Sequence, residues 1–281
     1  MGCQWQLFLN ILPVWLRNAV DEQGRKDLQE LRLRINTTPE LVKKGYSEWL
    51  HRTVTKEDLA FCINVATKYS PWTSSSITEG FVTAPGGHRI GICGDCFYDR
   101  TILKNINNIS SICIRVAREY PGLASTIYNR KGSILIIGRP GSGKTTFLRD
   151  LIRGISDRGD GAIVVLDERR EVFPIMDGKA LFEQGKRTDV LSGCKKSAAL
   201  EMVLRTMSPT TIALDEITSQ EDCEALMNGA WCGVRLIATA HAGSRNELYA
   251  RPVYKPLLEN RIFRSLIVLR SDQSWQEENF V

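Results

Sequence analysis

The sequence predicts an α/β protein with a mostly parallel sheet, preceded by a smaller α+β domain. After about residue 125, short apolar runs typical of buried strands alternate with segments whose apolar residues recur at helical spacing. That alternation is typical of a parallel sheet covered on both faces. Before residue 125, strand patterns outnumber helix patterns. We therefore predict an N-terminal domain over residues 1–125 and a second domain over 126–281, with a linker that starts at Pro121-Gly122.

In the N-terminal domain, the elements follow from residue periodicity and turn residues. Residues 7–16 are rich in apolar side chains but lack a preceding basic segment and a small-residue cleavage site, so we predict a packed helical segment and not a signal peptide. Thr55 and Asp58 have the spacing of a helix start. The other predicted elements are strands at 30–35 and 112–116 and a hairpin over 81–92.

In the second domain, continuous apolar runs predict strands and amphipathic runs predict the helices between them. The predicted strands are residues 133–137, 162–166, 211–214 and 234–239, with a further strand over 262–269 at the sheet edge. The predicted helices contain residues 147–155, 200–207 and 222–230.

Charge and hydropathy exclude some classes of function. The 281-residue chain has 37 Lys and Arg against 32 Asp and Glu, a net charge of +5, and its basic residues are scattered. The absence of a basic stripe argues against a nucleic-acid partner. No run reaches the roughly 18 apolar residues that a membrane span needs, so we expect no direct membrane span and a cytoplasmic location.

Eight cysteines are present, and we expect them to be reduced thiols. Cys93 and Cys96 form a single C-x-x-C motif. A zinc site would need two more ligands, for which Cys113 and His88 are candidates, but buried thiols are the favoured interpretation.

Several aromatic residues of the N-terminal part could stack on nucleobases, but none lies within a basic run. Packing in the core or at a subunit interface is the favoured interpretation for them. They are Trp49, Trp72, Phe81, Phe97 and Tyr98, and the neighbouring His88-Arg89 pair could form an interface contact.

A glycine-rich segment between a predicted strand and a predicted helix matches G-x-x-x-x-G-K-[ST] in full. Glycines let successive backbone N–H groups face one point, and the helix directs its positive end there. Lys144 would neutralise the β- and γ-phosphates of ATP, and Thr145 would bind Mg²⁺. The predicted phosphate-binding residues are Gly138, Arg139, Pro140, Gly141, Ser142, Gly143, Lys144, Thr145 and Thr146. This motif predicts a P-loop NTPase with a RecA- or AAA-like fold.

A predicted apolar strand is followed by Asp215-Glu216, which would supply the second half of an ATP-binding site. Asp215 would hold Mg²⁺ through water, and Glu216 would polarise the attacking water. A glutamate here favours hydrolysis over transfer to a small molecule.

Two further groups follow strands that should end at the same edge of the sheet. After the second strand, Glu168 competes with Glu216 as the catalytic base, and Arg169, Arg170 or Arg187 could complete a neighbour's site as an arginine finger. After the fourth strand, Thr239 or His241 could sense the γ-phosphate. A surface salt-bridge cluster and a structural histidine remain open as alternatives.

With these residues in place, the chain resembles the stage III sporulation protein AA family, bacterial ATPases related to type II and type IV secretion motors. The resemblance is carried by the P-loop, by Asp215-Glu216 and by further segments along nearly the whole chain. Those segments are residues 31–34, 80–89 and 109–119 in the N-terminal part, and 167–169, 187–191, 207–209 and 238–241 in the ATPase part.

The resemblance implies a cytoplasmic ATPase at the mother-cell face of a channel between mother cell and forespore. It also implies a homo-oligomer, typically a hexameric ring with ATP bound between subunits, and a membrane-embedded channel protein as partner. Asp167-Glu168 would correspond to the Asp box of the secretion ATPases and His241 to their His box. The chain departs from the family pattern at Arg170, Ser192 and Ser219-Gln220, which leaves the speed of turnover open.

Two other classes of function remain as alternatives. A RecA-like ATPase acting on nucleic acid would show salt-sensitive binding and stimulation by DNA or RNA. A nucleotide-gated assembly scaffold would bind ATP with little turnover. A small-molecule kinase is a weaker alternative, because neither an acceptor pocket nor a lid is evident in the sequence.

Overall fold

A computed structural model describes residues 3–67, 80–159, 161–176, 178–270, 272 and 274–280. The chain divides into two compact units. The first contains the described residues up to Arg118 together with Ile175–Leu181, and the second contains Glu119–Pro174 and Phe182–Val281.

The first unit is built on a six-stranded antiparallel sheet in the order β3-β2-β1-β6-β5-β4. Its core is formed by the inward-facing residues of this sheet and by three helices. The elements are α1 (Trp5–Ile11), α2 (Val14–Gly24), β1 (Glu30–Arg34), β2 (Glu40–Lys43), β3 (Tyr46–Trp49), α3 (Lys56–Thr67), β4 (Phe81–Ala84), β5 (His88–Asp99) and β6 (Ile102–Arg115). The α+β class predicted from the sequence is confirmed.

Local predictions for this unit agree with the structure in most places. Thr55 and Asp58 form a reciprocal capping pair at the start of α3: the Asp58 amide donates to Thr55 Oγ1 and the Thr55 amide donates to Asp58 Oδ2. The predicted helical segment at 7–16 is two helices, because Pro13 precedes α2 and cannot continue α1.

The second unit is built on a seven-stranded sheet in the order β11-β8-β12-β13-β7-β14-β15. All neighbouring pairs are parallel except β14 with β15. In chain order, the elements after β6 are β7 (Ile134–Gly138), α4 (Lys144–Arg158), β8 (Ile163–Asp167), β9 (Ile175–Met176), β10 (Lys179–Ala180), β11 (Thr188–Ser192), α5 (Lys196–Thr206), β12 (Thr211–Leu214), α6 (Gln220–Trp231), β13 (Arg235–His241), α7 (Arg245–Ala250), α8 (Lys255–Glu259), β14 (Ser265–Leu269) and β15 (Trp275–Asn279). The short β9–β10 hairpin belongs to the first unit.

The edges of this sheet differ from the sequence prediction. The strand predicted at 262–269 is β14, which lies inside the sheet because β15 pairs along its outer side. The sequence reading missed both β15 and the opposite edge strand β11, since neither is a continuous apolar run.

The segment that enters the second unit is tied to α4. The buried carboxylate of Asp150 accepts hydrogen bonds from the Gly122 amide at 2.9 Å, the Ala124 amide at 2.8 Å and the Tyr128 hydroxyl at 2.7 Å. These bonds attach residues 122–128 to the second unit, which begins at Glu119, whereas the sequence predicted a boundary at about residue 125.

Strand direction determines where polar residues gather. The strands β7, β8, β12 and β13 are parallel, so their carboxyl ends lie together at one end of the sheet. Among the described residues, no helix has the length and apolar character needed to cross a membrane.

Candidate active site

The loop between β7 and α4 has the backbone that its glycines were expected to allow. Gly141 and Gly143 have φ of 76° and 93°, in the left-handed region that favours glycine. A Cβ at Gly138 would lie 2.3 Å from Ser142 Oγ, so a larger residue would displace the loop. Because α4 begins at Lys144, its first amides face the loop.

Lys144 is buried beneath this loop. Its ammonium group donates hydrogen bonds to the carbonyls of Gly138 at 3.0 Å and Arg139 at 3.1 Å, and to His241 Nδ1 at 2.9 Å. Burial lowers the pKa of Lys144, and the carboxylates of Glu216 and Asp215 partly oppose that shift. The three hydrogen bonds thus hold the Lys144 ammonium group against the loop.

Asp215 and Thr145 lie side by side at the end of β12. The Thr145 hydroxyl donates to Asp215 Oδ2 at 3.1 Å, and the Thr239 hydroxyl donates to Asp215 Oδ1 at 3.0 Å. A threonine hydroxyl beside a carboxylate is a donor set suited to Mg²⁺, which prefers oxygen ligands. Ser142 precedes Thr145 in the same loop, and its buried Oγ has no hydrogen-bond partner among the described residues. The residues therefore fit a magnesium–phosphate group.

Glu216 is held by its backbone and by its carboxylate. Its φ is 31°, unusual for a non-glycine residue, and its amide donates to Thr239 Oγ1 at 3.0 Å. Its Oε1 is 2.9 Å from His241 Nε2. Because the Lys144 ammonium can only donate, His241 Nδ1 accepts and Nε2–H donates to Glu216. A continuous chain therefore runs from Lys144 through His241 to Glu216.

Glu168, the competing candidate for the base, has other partners. Its carboxylate is 2.6 Å from the buried ammonium of Lys196, which also lies 3.6 Å from Asp222. Asp222 belongs to the capping box at the start of α6. This ion cluster joins the segment after β8 to the first turns of α5 and α6, and the sequence analysis did not anticipate Lys196.

Asp167 organises the segment that follows β8. Its carboxylate is buried and accepts hydrogen bonds from the amides of Glu171, Val172 and Phe173 at 2.8 to 3.2 Å. Burial raises the pKa of Asp167 to about 6. The guanidinium of Arg149 donates to the Val172 carbonyl of the same segment at 2.6 Å. Sequence reasoning missed Arg149, whose only signal was a charged residue amid the apolar positions of α4.

The three candidate arginine fingers lie in different places. Arg169 approaches Glu216 of its own chain at 3.6 Å. Arg170 has φ of 54° and packs against Gly193. Arg187 lies just before β11, at the end of the sheet where the parallel strands begin. There it donates to the Gly159 carbonyl at 3.3 Å. The structure thus does not bring Arg187 to the P-loop of its own chain, and a role in a neighbour's site remains a prediction.

The C-x-x-C motif does not form a metal site in the described chain. Cys93 pairs with Ser111 across the β5–β6 ladder, and Cys96 pairs with Ile106, whose side chain is buried. The ladder has a register shift between Cys93 and Asp95, so the two cysteines do not lie on one regular stretch of paired strand. Both are exposed, against the expectation of buried thiols, and the described residues contain no group of three potential ligands.

His88, a second candidate from the first unit, is a structural residue. It is fully buried, its Nδ1 accepts from the Ala117 amide at 3.1 Å, and its Nε2 lies 3.3 Å from the Gln4 carbonyl. Burial lowers the pKa of His88 to about 4.

The candidate stacking aromatics do not form one platform. Phe81 is buried beneath the guanidinium of Arg89, whereas Trp49, Phe97 and Tyr98 are about half exposed. Trp72 lies outside the described residues.

Comparison with known protein families gives a match over almost the whole chain. The family described as "Sporulation stage III, protein AA" matches residues 4–277. The "Stage III sporulation protein AA" of Bacillus subtilis (strain 168) is 36% identical over 267 residues, which cover 90% of this chain and 87% of that protein. The "Uncharacterized protein ycf45" of Porphyra purpurea is 27% identical over 89% of this chain and 43% of its own length.

Solved structures share the fold at low sequence identity. The ATPase DotB of Legionella pneumophila has a TM-score of 0.61 at 15% identity, covering 95% of this chain and 79% of its own. The pilus retraction motor PilT, solved with bound ADP, has a TM-score of 0.59 at 16% identity, covering 90% and 76%. At such identities the likeness shows the fold alone, and the predicted P-loop architecture is confirmed.

Proposed function

The chain belongs to the sporulation stage III protein AA family, and we propose that it is an ATP hydrolase that requires Mg²⁺. The observation that carries the proposal is the convergence of Lys144, Thr145, Asp215 and Glu216 at one edge of a parallel sheet. Phosphate-loop, metal-ligand and base candidates from the ends of two strands, β7 and β12, meet there, as ATP hydrolysis requires.

Each residue has a distinct part in this proposal. The loop amides and Lys144 bind the phosphates, and Thr145 with Asp215 holds Mg²⁺. Mg²⁺, when bound, neutralises charge on the phosphate oxygens. Glu216 orients a water molecule and accepts its proton, while His241 fixes the carboxylate through the bond from Nε2.

The geometry favours Glu216 over Glu168 as the base. Glu216 follows Asp215 directly and is joined to Lys144 through His241. Glu168 forms a 2.6 Å ion pair with Lys196, and that pairing supports a structural role for it.

We further propose that the ATPase works as a homo-oligomer, with a hexameric ring as the expected form, on the cytoplasmic side of a secretion-type channel in sporulating cells. Family membership supports the sporulation setting, and the PilT and DotB folds support a motor or assembly ATPase. A membrane-embedded channel protein would recruit it. In such a ring, Arg187 could reach a neighbour's P-loop.

The test is the Mg-ATP hydrolysis rate per subunit as a function of protein concentration, with Lys144→Ala as the control. A rate that rises with concentration, and disappears in the variant, is expected if sites are completed between subunits. Negligible turnover at every concentration, with nucleotide still bound, would instead favour an assembly scaffold. Stimulation by DNA or RNA would favour the nucleic-acid alternative.

A further inference from the structure

Thr239 lies at the centre of the contacts that hold Asp215 and Glu216. β12 and β13 pair in regular register up to the end of β12, and each of the next three residues of the chain hydrogen-bonds to Thr239. Its hydroxyl contacts the Asp215 carboxylate and the Glu216 amide at 3.0 Å each, and its carbonyl accepts from the Ile217 amide at 2.8 Å. One residue of β13 therefore holds the whole segment that follows β12.

The direction of both hydroxyl bonds is determined by the partners of Thr239. A backbone N–H can only donate, so the Thr239 oxygen accepts from Glu216, and its single hydrogen is left for Asp215 Oδ1. Asp215 Oδ2 accepts from the Thr145 hydroxyl at 3.1 Å. Each oxygen of the Asp215 carboxylate thus has a hydroxyl donor, and the two donors together fix the plane of the carboxylate.

Glu216 depends on such contacts because of its backbone conformation. Its φ of 31° is sparsely populated by residues other than glycine, and such a conformation persists only where the surrounding structure imposes it. The Glu216 amide is shared between Thr239 Oγ1 at 3.0 Å and Asp215 Oδ1 at 3.1 Å. Loss of the Thr239 hydroxyl would remove the first of these contacts and let Glu216 move relative to Asp215.

Burial separates the role of Thr239 from that of His241. The two residues lie two positions apart on β13, so their side chains face the same side of the sheet. Thr239 is completely buried and its hydroxyl is already bonded to Asp215 and Glu216, whereas the His241 side chain is 30% exposed. Of the two residues that the sequence suggested as sensors of the γ-phosphate, only His241 has a surface open to a nucleotide.

We propose that Thr239 is a positioning residue for the ATPase reaction, whose hydroxyl aligns the Asp215 carboxylate with the backbone of Glu216. This inference rests on the proposed ATP hydrolysis and on the parts given there to Asp215 and Glu216. Thr239 touches neither the nucleotide nor the attacking water, and it acts only through these two neighbours. Its hydroxyl should therefore matter for Mg²⁺ binding and for turnover, whereas phosphate binding by the loop amides and Lys144 does not use it.

Thr239→Val tests the proposal, because valine has nearly the same shape as threonine but lacks the hydroxyl. Its kcat for ATP should fall about 10- to 100-fold, the range expected when a group that orients a metal ligand is removed, and half-maximal activity should need more Mg²⁺. Nucleotide affinity in EDTA, measured with a fluorescent ATP analogue, should stay near the wild-type value. Thr239→Ser, which keeps the hydroxyl, should restore most of kcat.

The matched control is Thr211→Val, which makes the same change at a buried threonine where β12 begins. It should lower neither kcat nor the response to Mg²⁺. If Thr239→Val fails to bind nucleotide in EDTA, Thr239→Ala replaces it, because alanine also lacks the hydroxyl but places no methyl group against Asp215. The same loss of kcat is expected of it.

Two further readouts do not depend on hydrolysis, so failure of this inference can be separated from failure of the proposed function. Amide hydrogen exchange at Glu216, measured without nucleotide or metal, should accelerate in Thr239→Val and keep the wild-type rate in Thr239→Ser. Mg²⁺ should tighten binding of the fluorescent analogue less in Thr239→Val than in the wild type. A wild type without turnover, combined with these two effects, would refute the proposed ATPase and still support the role of Thr239.

Three outcomes would overturn the inference. A wild-type kcat and a wild-type response to Mg²⁺ in Thr239→Val would show that the hydroxyl is not needed. Equal losses in Thr239→Ser and Thr239→Val would assign the effect to packing of the methyl group. A weaker nucleotide affinity in EDTA, with kcat unchanged, would make Thr239 part of the phosphate site.

Discussion

At the scale of single residues, the contacts of Glu216 and Glu168 distinguish a candidate catalytic base from a structural ion-pair partner. Glu216 is bonded to His241, which is bonded to Lys144, whereas Glu168 is paired with the buried Lys196. The sequence predicted both as candidates because each follows a buried strand. Strand order places both strand ends at one edge, but only side-chain contacts distinguish them.

We expect Glu216→Gln to retain nucleotide binding and to lose turnover by about 10²- to 10⁴-fold, because the amide cannot accept the proton of the attacking water. Glu168→Gln, the matched change, should lose far less. Steady-state hydrolysis and equilibrium binding of a fluorescent nucleotide measure the two effects. Retained turnover in Glu216→Gln, with loss in Glu168→Gln, would reverse the assignment.

A second residue-scale prediction concerns the pH dependence of stability in the first unit. The pKa of His88 is lowered by burial to about 4, whereas an unfolded histidine titrates near 6.5. Between these values the unfolded chain binds more protons, so the free energy of unfolding should fall as the pH falls, by about 3 kcal/mol over the full window.

His88→Asn should flatten this part of the pH profile, because the amide does not titrate but can still accept from Ala117. Chemical denaturation at a series of pH values measures the slope. His51→Asn, at an exposed histidine, should keep the wild-type slope. A full slope in His88→Asn would show that other groups carry the dependence.

At the scale of elements, the sequence predicted the inner strands of the second unit and missed its edges. β8 and β12 are buried at every position and mostly apolar, because helices cover both faces of the sheet. β11 and β15 lie at the edges, where one side is open to solvent, so Thr188–Ser192 and Trp275–Asn279 mix polar and apolar residues. The periodicity of the segment itself does not show such strands, because pairing with the neighbouring strands β8 and β14 stabilises them.

The connection between α4 and the entering segment supplies the element-scale prediction. Asp150→Asn should lower the free energy of unfolding by about 2–4 kcal/mol, because it weakens two buried hydrogen bonds and one partly buried one, two of the three coming from backbone amides. Amide hydrogen exchange at Gly122 and Ala124 should accelerate. Asp157→Asn, on the same helix but more exposed, is the control.

An independent change tests the same contact from the other side. A Cβ at Gly154 would lie 2.3 Å from the Tyr128 ring, so Gly154→Ala should also release the segment. Unchanged exchange at Gly122 and Ala124 in both variants would show that other contacts hold the segment on α4.

At the scale of the whole molecule, the positions of the candidate arginine fingers bear on whether one chain is sufficient for catalysis. Of the three candidates, Arg169 lies beside Glu216 of its own chain. Arg187 lies at the end of the sheet where the parallel strands begin, hydrogen-bonded to Gly159. The sequence could not separate them, since strand direction and register determine which edge each occupies. A catalytic role for Arg187 therefore requires a second subunit.

This requirement can be tested with mixed subunits. Arg187→Ala should lack activity alone, because it supplies no arginine to its neighbour, and Glu216→Gln should lack activity alone because its own site is defective. In a ring formed from equal amounts, about a quarter of the sites would combine an intact Glu216 with a neighbour's intact Arg187. The mixture should therefore regain measurable hydrolysis. Arg205→Ala, an exposed arginine on α5, should be active without mixing. Full activity of Arg187→Ala alone would exclude it as the finger, and a mixture without activity would show that complementation between subunits does not occur.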